Sequence, residues 1–171
     1  MQQFIKWFLI ALPAVAVIIL LVPAFLPKQV HIERSLYIGR EPETVFSVVS
    51  DLNQYPQWDP FGAQDPSVKF QVSGSGVGST YEWDGKKIGK GRMVITKLDA
   101  PHLVQVHLSM GNSEESLAEW RLQPSGQGTQ VVWAFDTELP YVMRYFGLVM
   151  DRMLGSCFEQ GLANLKRTVE K

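Results

Sequence analysis

The sequence predicts an α+β chain in which a curved seven-stranded antiparallel sheet wraps one long C-terminal helix, with a single transmembrane helix at the N-terminus. Three observations predict it. An uncharged apolar run extends from Trp7 to Leu26 between Lys6 and Lys28. Alternating segments separated by Gly, Pro, Asn and Asp turns then recur about every ten residues, as antiparallel strands do. Finally, Met143, Phe146, Met150, Met153, Leu154, Cys157, Phe158, Gly161, Leu162, Leu165 and Val169 follow one another at steps that place them on one helical stripe. The chain divides into an anchor, residues 1–27, and a domain, residues 28–171.

About 20 apolar residues span a hydrocarbon core of ~30 Å, and residues 7–26 supply them. A cleaved signal peptide is the rival reading, but its apolar core is only ~7–15 residues long, so a retained anchor is favoured. Pro13 and Pro23 are compatible with a span, and Trp7 sits where an interfacial aromatic belongs. Lys6 competes with Lys28, Arg34 and Arg40 in setting orientation. The reading leans to a cytoplasmic N-terminus.

After Pro27, residues 29–38 alternate as a strand, with Arg34 the one misfit among Val30, Ile32, Leu36 and Ile38. Glu41-Pro42-Glu43 opens a short helix, with acids and proline in its first turn. Residues 53–60 form a second short helix or turn carrying Tyr55 and Trp58, ended by Asp59-Pro60. Six strands follow, over 67–72, 79–83, 87–98, 103–110, 116–123 and 129–137. Their apolar phase includes Tyr81 and Trp83, Met93 and Ile95, Ala118 and Trp120, and Val131, Trp133 and Phe135. Their other face is polar, the signature of a sheet covered on one side.

The last segment, from Pro140, is the helix that the sheet must receive. Gly147, Gly155 and Gly161 each weaken it by about 1 kcal/mol relative to Ala, so packing must hold it and a kink near Gly147 or Gly155 is expected.

The net charge of −1, with scattered Lys and Arg, excludes a polyelectrolyte partner, so no nucleic acid is expected. Cys157 is the only cysteine and reads as a small core residue. His31, His102 and His107 are far apart and belong to no ligand motif, so no metal and no cofactor are expected. The glycines of 74–78 precede a strand rather than a helix, and Gly89-Lys90-Gly91 lacks the phosphate-loop spacing; both read as turns or a bulge. There is no Gly-x-Ser-x-Gly elbow for a serine nucleophile.

Several stretches, taken in order, resemble the helix-grip fold of the START-related (SRPBCC-type) superfamily, and within it the bacterial branch described as polyketide cyclase/dehydrase-like. They are Val30-His31-Ile32-Glu33-Arg34-Ser35, Pro42-Glu43-Thr44-Val45-Phe46, Asp51 through Tyr55-Pro56-Gln57-Trp58, Gly76 through Trp83, Gly89-Lys90-Gly91-Arg92-Met93, and Gly161-Leu162-Ala163-Asn164-Leu165. The resemblance implies a ligand cavity between sheet and helix and a bacterial protein, so the anchor is expected in the inner membrane; the lean to a cytoplasmic N-terminus puts the domain on the extracytoplasmic side.

The residues expected to line that cavity are Tyr81, Trp83, Met93, Trp120, Trp133, Phe135, Phe146, Met150, Phe158 and Gly161. An apolar pocket of this kind suits a lipid or another hydrophobic small molecule, and the favoured function is a membrane-anchored binding module without catalysis. Two rivals stay open. One is a polyketide cyclase/dehydrase-type enzyme, with Tyr81 the first acid–base candidate, Tyr55 and Asp59 at a cavity mouth, and Asp151 a solvated or ion-paired acid. The other is a structural partner of another membrane protein with a filled core.

Overall fold

A computed structural model describes residues 17–111 and 116–171 of the chain. Of the expected transmembrane segment, residues 7–16 therefore lie outside the described residues. Residues 17–21 are helical and lead into a 3-10 turn at Val22–Phe25. Among the described residues no helix is long and apolar enough to cross a membrane.

The domain runs β1 (Gln29–Ile38), α1 (Pro42–Val49), 3-10 turns at Tyr55–Gln57 and Gly62–Gln64, then β2 (Lys69–Ser73), β3 (Thr80–Gly85), β4 (Gly89–Asp99), β5 (Leu103–Met110), β6 (Ser116–Ser125) and β7 (Gly128–Glu138). A 3-10 turn at Tyr141–Met143 leads into α2 (Arg144–Val169). The seven strands form one sheet in the order β1-β7-β6-β5-β4-β3-β2, antiparallel throughout. All neighbours after β2 are sequential hairpins. The exception, β1 against β7, brings the start of the domain beside the strand that precedes α2.

Local chemistry explains the elements. Glu41 is extended at the N-terminus of α1, and Pro42 fills the first turn, where a missing N–H leaves nothing unpaired. Pro56 and Pro60 shorten the expected second helix to a single 3-10 turn. Gly74, Gly76 and Gly78 all adopt positive φ before β3, which identifies that glycine cluster as backbone geometry. The expected bulge falls elsewhere, in β4 between Ile95 and Lys97, where the register with β5 shifts.

The core lies between the sheet and the two helices. Ile32, Val45, Ile95, Val104, Val106, Val131 and Leu165 are fully buried in it. Arg34, the misfit of β1, points at α2 and is held by Asp151 (3.0 Å) and Glu159 (3.0 Å). Asp151 is thus the ion-paired helix acid expected. α2 runs as one continuous helix through Gly147 and Gly155. Its first half differs from expectation: Met143, Phe146 and Met153 are exposed, and Cys157 is half-buried. Of the expected stripe, Met150, Phe158, Gly161, Leu162, Leu165 and Val169 are buried, and Gly155 is buried beside them.

Candidate functional site

Three tryptophans meet in the interior. Trp120 of β6 and Trp133 of β7 are direct cross-strand partners, with ring centroids 5.2 Å apart. Trp58 reaches them from the loop after α1, with its ring 5.7 Å from Trp120 and 5.9 Å from Trp133, edge-on to both. The 3-10 turn sets it there: the backbone N–H groups of Trp58 and Asp59 both donate to the Tyr55 carbonyl, at 3.0 and 2.8 Å. All three indole Nε1–H donors are buried and find no acceptor among the described residues. That is unusual, since buried Trp N–H groups normally have a partner.

Beside them sits a small polar group. Tyr55 packs edge-on against Trp58 (4.7 Å) and Tyr81 (5.1 Å), so the two phenols are neighbours. Asp59 is buried, and its carboxylate accepts hydrogen bonds from the backbone N–H of Phe61 (2.8 Å) and Gly62 (2.9 Å). Burial raises its pKa above the ordinary carboxylate value, although the two N–H donors and Tyr55 pull the other way. Burial raises Tyr55 and Tyr81 as well, and the nearby Asp59 charge adds to both shifts. Both tyrosines therefore stay protonated donors at neutral pH. Neither Tyr55 nor Asp59 lies at an open mouth, in contrast to the sequence expectation; each is less than 10% exposed.

The structure brings together most of the residues expected to line a cavity. Tyr81, Met93, Trp120, Trp133, Met150, Phe158 and Gly161 are buried, whereas Trp83 and Phe135 are half-buried. Phe146 does not join them and is 39% exposed. Phe158 of α2 stacks on Trp133 at 4.3 Å with planes 4° apart, and Phe135 meets Phe158 edge-on. Gly161 does not leave open space. A Cβ there would lie 2.6 Å from Trp133 Cζ3 and 3.1 Å from Pro60 Cγ, so this glycine admits the Trp133 ring. Around Gly161 the Trp133, Phe158 and Pro60 rings are thus in direct contact with α2 or with one another. Clefts occur elsewhere: one of about 370 Å³ on the outer face of the sheet around His31, His107, Leu117 and Asp136, and one of about 110 Å³ between Asp51, Asn53 and the Gly74–Gly76 turn.

Trp58 is the residue that sequence reasoning left unassigned. Its signal is an aromatic pair, Tyr55 and Trp58, interleaved with Pro56 and Pro60, a pattern with no periodicity to say which way a ring points. Among the described residues no group of three His, Cys, Asp or Glu side chains is arranged to hold a metal ion.

A protein-family model described as polyketide cyclase / dehydrase and lipid transport matches residues 29–170. No curated protein matches the chain. Among solved structures, a protein of unknown function, SA2116 from Staphylococcus aureus, aligns with a TM-score of 0.66 at 15% identity, covering 83% of this chain and 94% of that one. Norcoclaurine synthase from Thalictrum flavum, in complex with dopamine and hydroxybenzaldehyde, aligns with a TM-score of 0.64 at 12% identity over 82% of this chain and 86% of that one. The Aha1 dimer from Colwellia psychrerythraea gives 0.59 at 18% identity over 82% and 96%. At these identities the likeness is one of fold.

Proposed function

The chain belongs to the polyketide cyclase / dehydrase and lipid transport family, and from that premise we propose that its domain binds one hydrophobic small molecule or lipid between the sheet and α2. We place it at a bacterial inner membrane through residues 7–26, with the domain extracytoplasmic. The observation that carries the binding reading is the trio of buried, unpartnered indole donors on Trp58, Trp120 and Trp133. Leaving a buried donor unpaired costs about 1–3 kcal/mol, and three together contribute nothing to folding that phenylalanines would not. A ligand oxygen among them recovers that cost. Burying about 300 Å² of apolar ligand surface adds several kcal/mol, less the cost of parting the rings. The ligand this favours is apolar and carries one or more carbonyl, ether or hydroxyl acceptors.

The experiment is native mass spectrometry on the full chain released from detergent after exposure to total membrane lipid, with extraction of whatever stays bound. One adduct per chain supports a binding module and identifies its ligand class. A clean apo mass from folded protein overturns it.

The pair of Asp59 with Tyr55 and Tyr81 favours a second reading, a cyclase/dehydrase-type enzyme. A carboxylate pushed upward by burial is better matched to proton transfer near neutral pH than an exposed one, and a protonated phenol beside it can donate to an enolate. Turnover of a polyketide-like substrate, reduced about 10²-fold or more in Tyr81→Phe, supports this reading. Equal turnover in that variant sinks it.

A further inference from the structure

We propose that the first three turns of α2 lie on a lipid bilayer, giving the domain a second membrane contact beside its N-terminal segment. The proposal rests on the membrane placement above and is independent of any interior ligand. Val142, Phe146, Val149 and Met153 recur at steps of four, three and four, so they form one stripe along the 3-10 turn and α2. All four are exposed, at 75%, 39%, 47% and 52%. This stripe is distinct from the one through Met150, Phe158 and Leu165 that faces the core. A contiguous apolar surface of this kind marks an interaction site rather than ordinary surface.

Continuity identifies the occupant. The helical segment 17–21 and the turn after it lie against the start of α2, and side chains of that region bind their carbonyls. Tyr141 Oη donates to the Leu20 carbonyl (2.6 Å), Tyr145 Oη to the Ile19 carbonyl (2.6 Å), and Arg144 Nη1 to the Pro23 carbonyl (2.9 Å). A helix end that leaves the hydrocarbon needs its carbonyls satisfied from within the protein, and Tyr and Arg are the side chains suited to headgroup depth. Ile18 and Leu20 of this segment and Phe25 of the turn after it are 58%, 65% and 87% exposed. Asp151 and Glu159 of α2 both pair with Arg34, whereas Arg152 is exposed next to Met153 and available to lipid phosphate. An apolar stripe with cationic flanks lies in the bilayer interface, at a depth of ~5–10 Å.

The test places a nitroxide at Val149→Cys in a Cys157→Ser background, in the full chain reconstituted into vesicles of phosphatidylcholine and phosphatidylglycerol. Matched labels at Lys97→Cys and Gln160→Cys serve as controls. The expected result is co-flotation with vesicles and a ratio of oxygen to water-soluble nickel-chelate accessibility at 149 about three-fold or more above both controls, as for a buried interfacial stripe. Flotation with an aqueous ratio at 149 overturns the docking contact and leaves the anchor standing. Absence of flotation overturns both. Spin–spin broadening at 149 that vanishes on dilution with unlabelled protein assigns the stripe to a second copy of the chain and overturns the bilayer as occupant.

Discussion

Arg34 of β1 fits onto α2 because position 155 is a glycine. A Cβ at Gly155 would fall 2.5 Å from the guanidinium Cζ. The absent side chain is the slot through which Arg34 reaches Asp151 and Glu159, four residues to either side. This one relationship accounts for both anomalies of the sequence, a charged residue on the apolar phase of a strand and a glycine inside a helix.

It also predicts a sign reversal. In an exposed helix Gly→Ala stabilises by about 1 kcal/mol. Gly155→Ala is expected to destabilise, because the Cβ displaces Arg34 from both carboxylates. In an Arg34→Ala background the same change should stabilise by about 1 kcal/mol, giving a coupling of roughly 1–3 kcal/mol across the pair. Urea unfolding midpoints of the four proteins measure it. Additive effects would remove Gly155 as the determinant of the Arg34 position.

Gly161 makes the harsher test, because its neighbours are rings. Trp133 Cζ3 and Pro60 Cγ and Cδ lie 2.6, 3.1 and 3.2 Å from a Cβ there, and neither ring can rotate away cheaply. Gly161→Ala is expected to cost about 1–3 kcal/mol despite its better helix propensity, and Gly161→Leu to prevent folding. A stabilised Gly161→Ala protein would mean that open space exists beside Trp133.

These two glycines show what was legible in the sequence. Strand alternation defines β1 and β5 end to end, because each has one covered face and one wet face, and a period of two is then unambiguous. The first half of α2 was not legible in the same way. Met143, Phe146 and Met153 share a period with the buried residues, but Val142 and Val149 extend the apolar surface round the helix. A segment apolar on two sides does not declare which side meets the sheet. Tyr81, Trp120 and Trp133 were found from strand phase, whereas Trp58 enters from a proline-bounded turn, where no period exists to aim it. The space beside Gly161, expected to belong to a cavity, is taken by the Trp133 ring and Pro60.

The unpartnered indoles make a prediction that separates binding from folding. Trp58→Phe keeps an aromatic ring against Trp120 and Trp133 and removes one buried donor. Its unfolding midpoint should move far less than that of Trp58→Ala, for which loss of the ring costs about 3–5 kcal/mol. Ligand affinity should nevertheless fall about five-fold or more, the worth of one hydrogen bond. Titration of the extracted ligand against both variants decides it. Unchanged affinity in Trp58→Phe, and likewise in Trp120→Phe and Trp133→Phe, would show that the donors do not contact ligand.

Asp65 ties the loop before β2 to the β3–β4 hairpin. Its carboxylate accepts hydrogen bonds from the Ser67 hydroxyl (2.5 Å) and from the backbone N–H of Lys87 (2.6 Å), Ser67 (3.0 Å) and Ile88 (3.3 Å). The Ser67 hydroxyl, followed by the Lys87 N–H, lowers its pKa to about 2. A carboxyl depressed in the folded state contributes stability that is complete above its unfolded value of about 3.9 and is lost as pH falls toward the folded value. Asp65→Asn should therefore unfold at lower urea than the parent at pH 7, because its amide sets N–H against N–H. The gap should narrow steadily between about pH 5 and pH 2 as the parent loses its charge. Asp59, whose raised pKa acts in the opposite direction, is common to both proteins and cancels in the comparison. A gap of equal size at pH 7 and pH 2 would mean that the Asp65 charge is not what holds the hairpin.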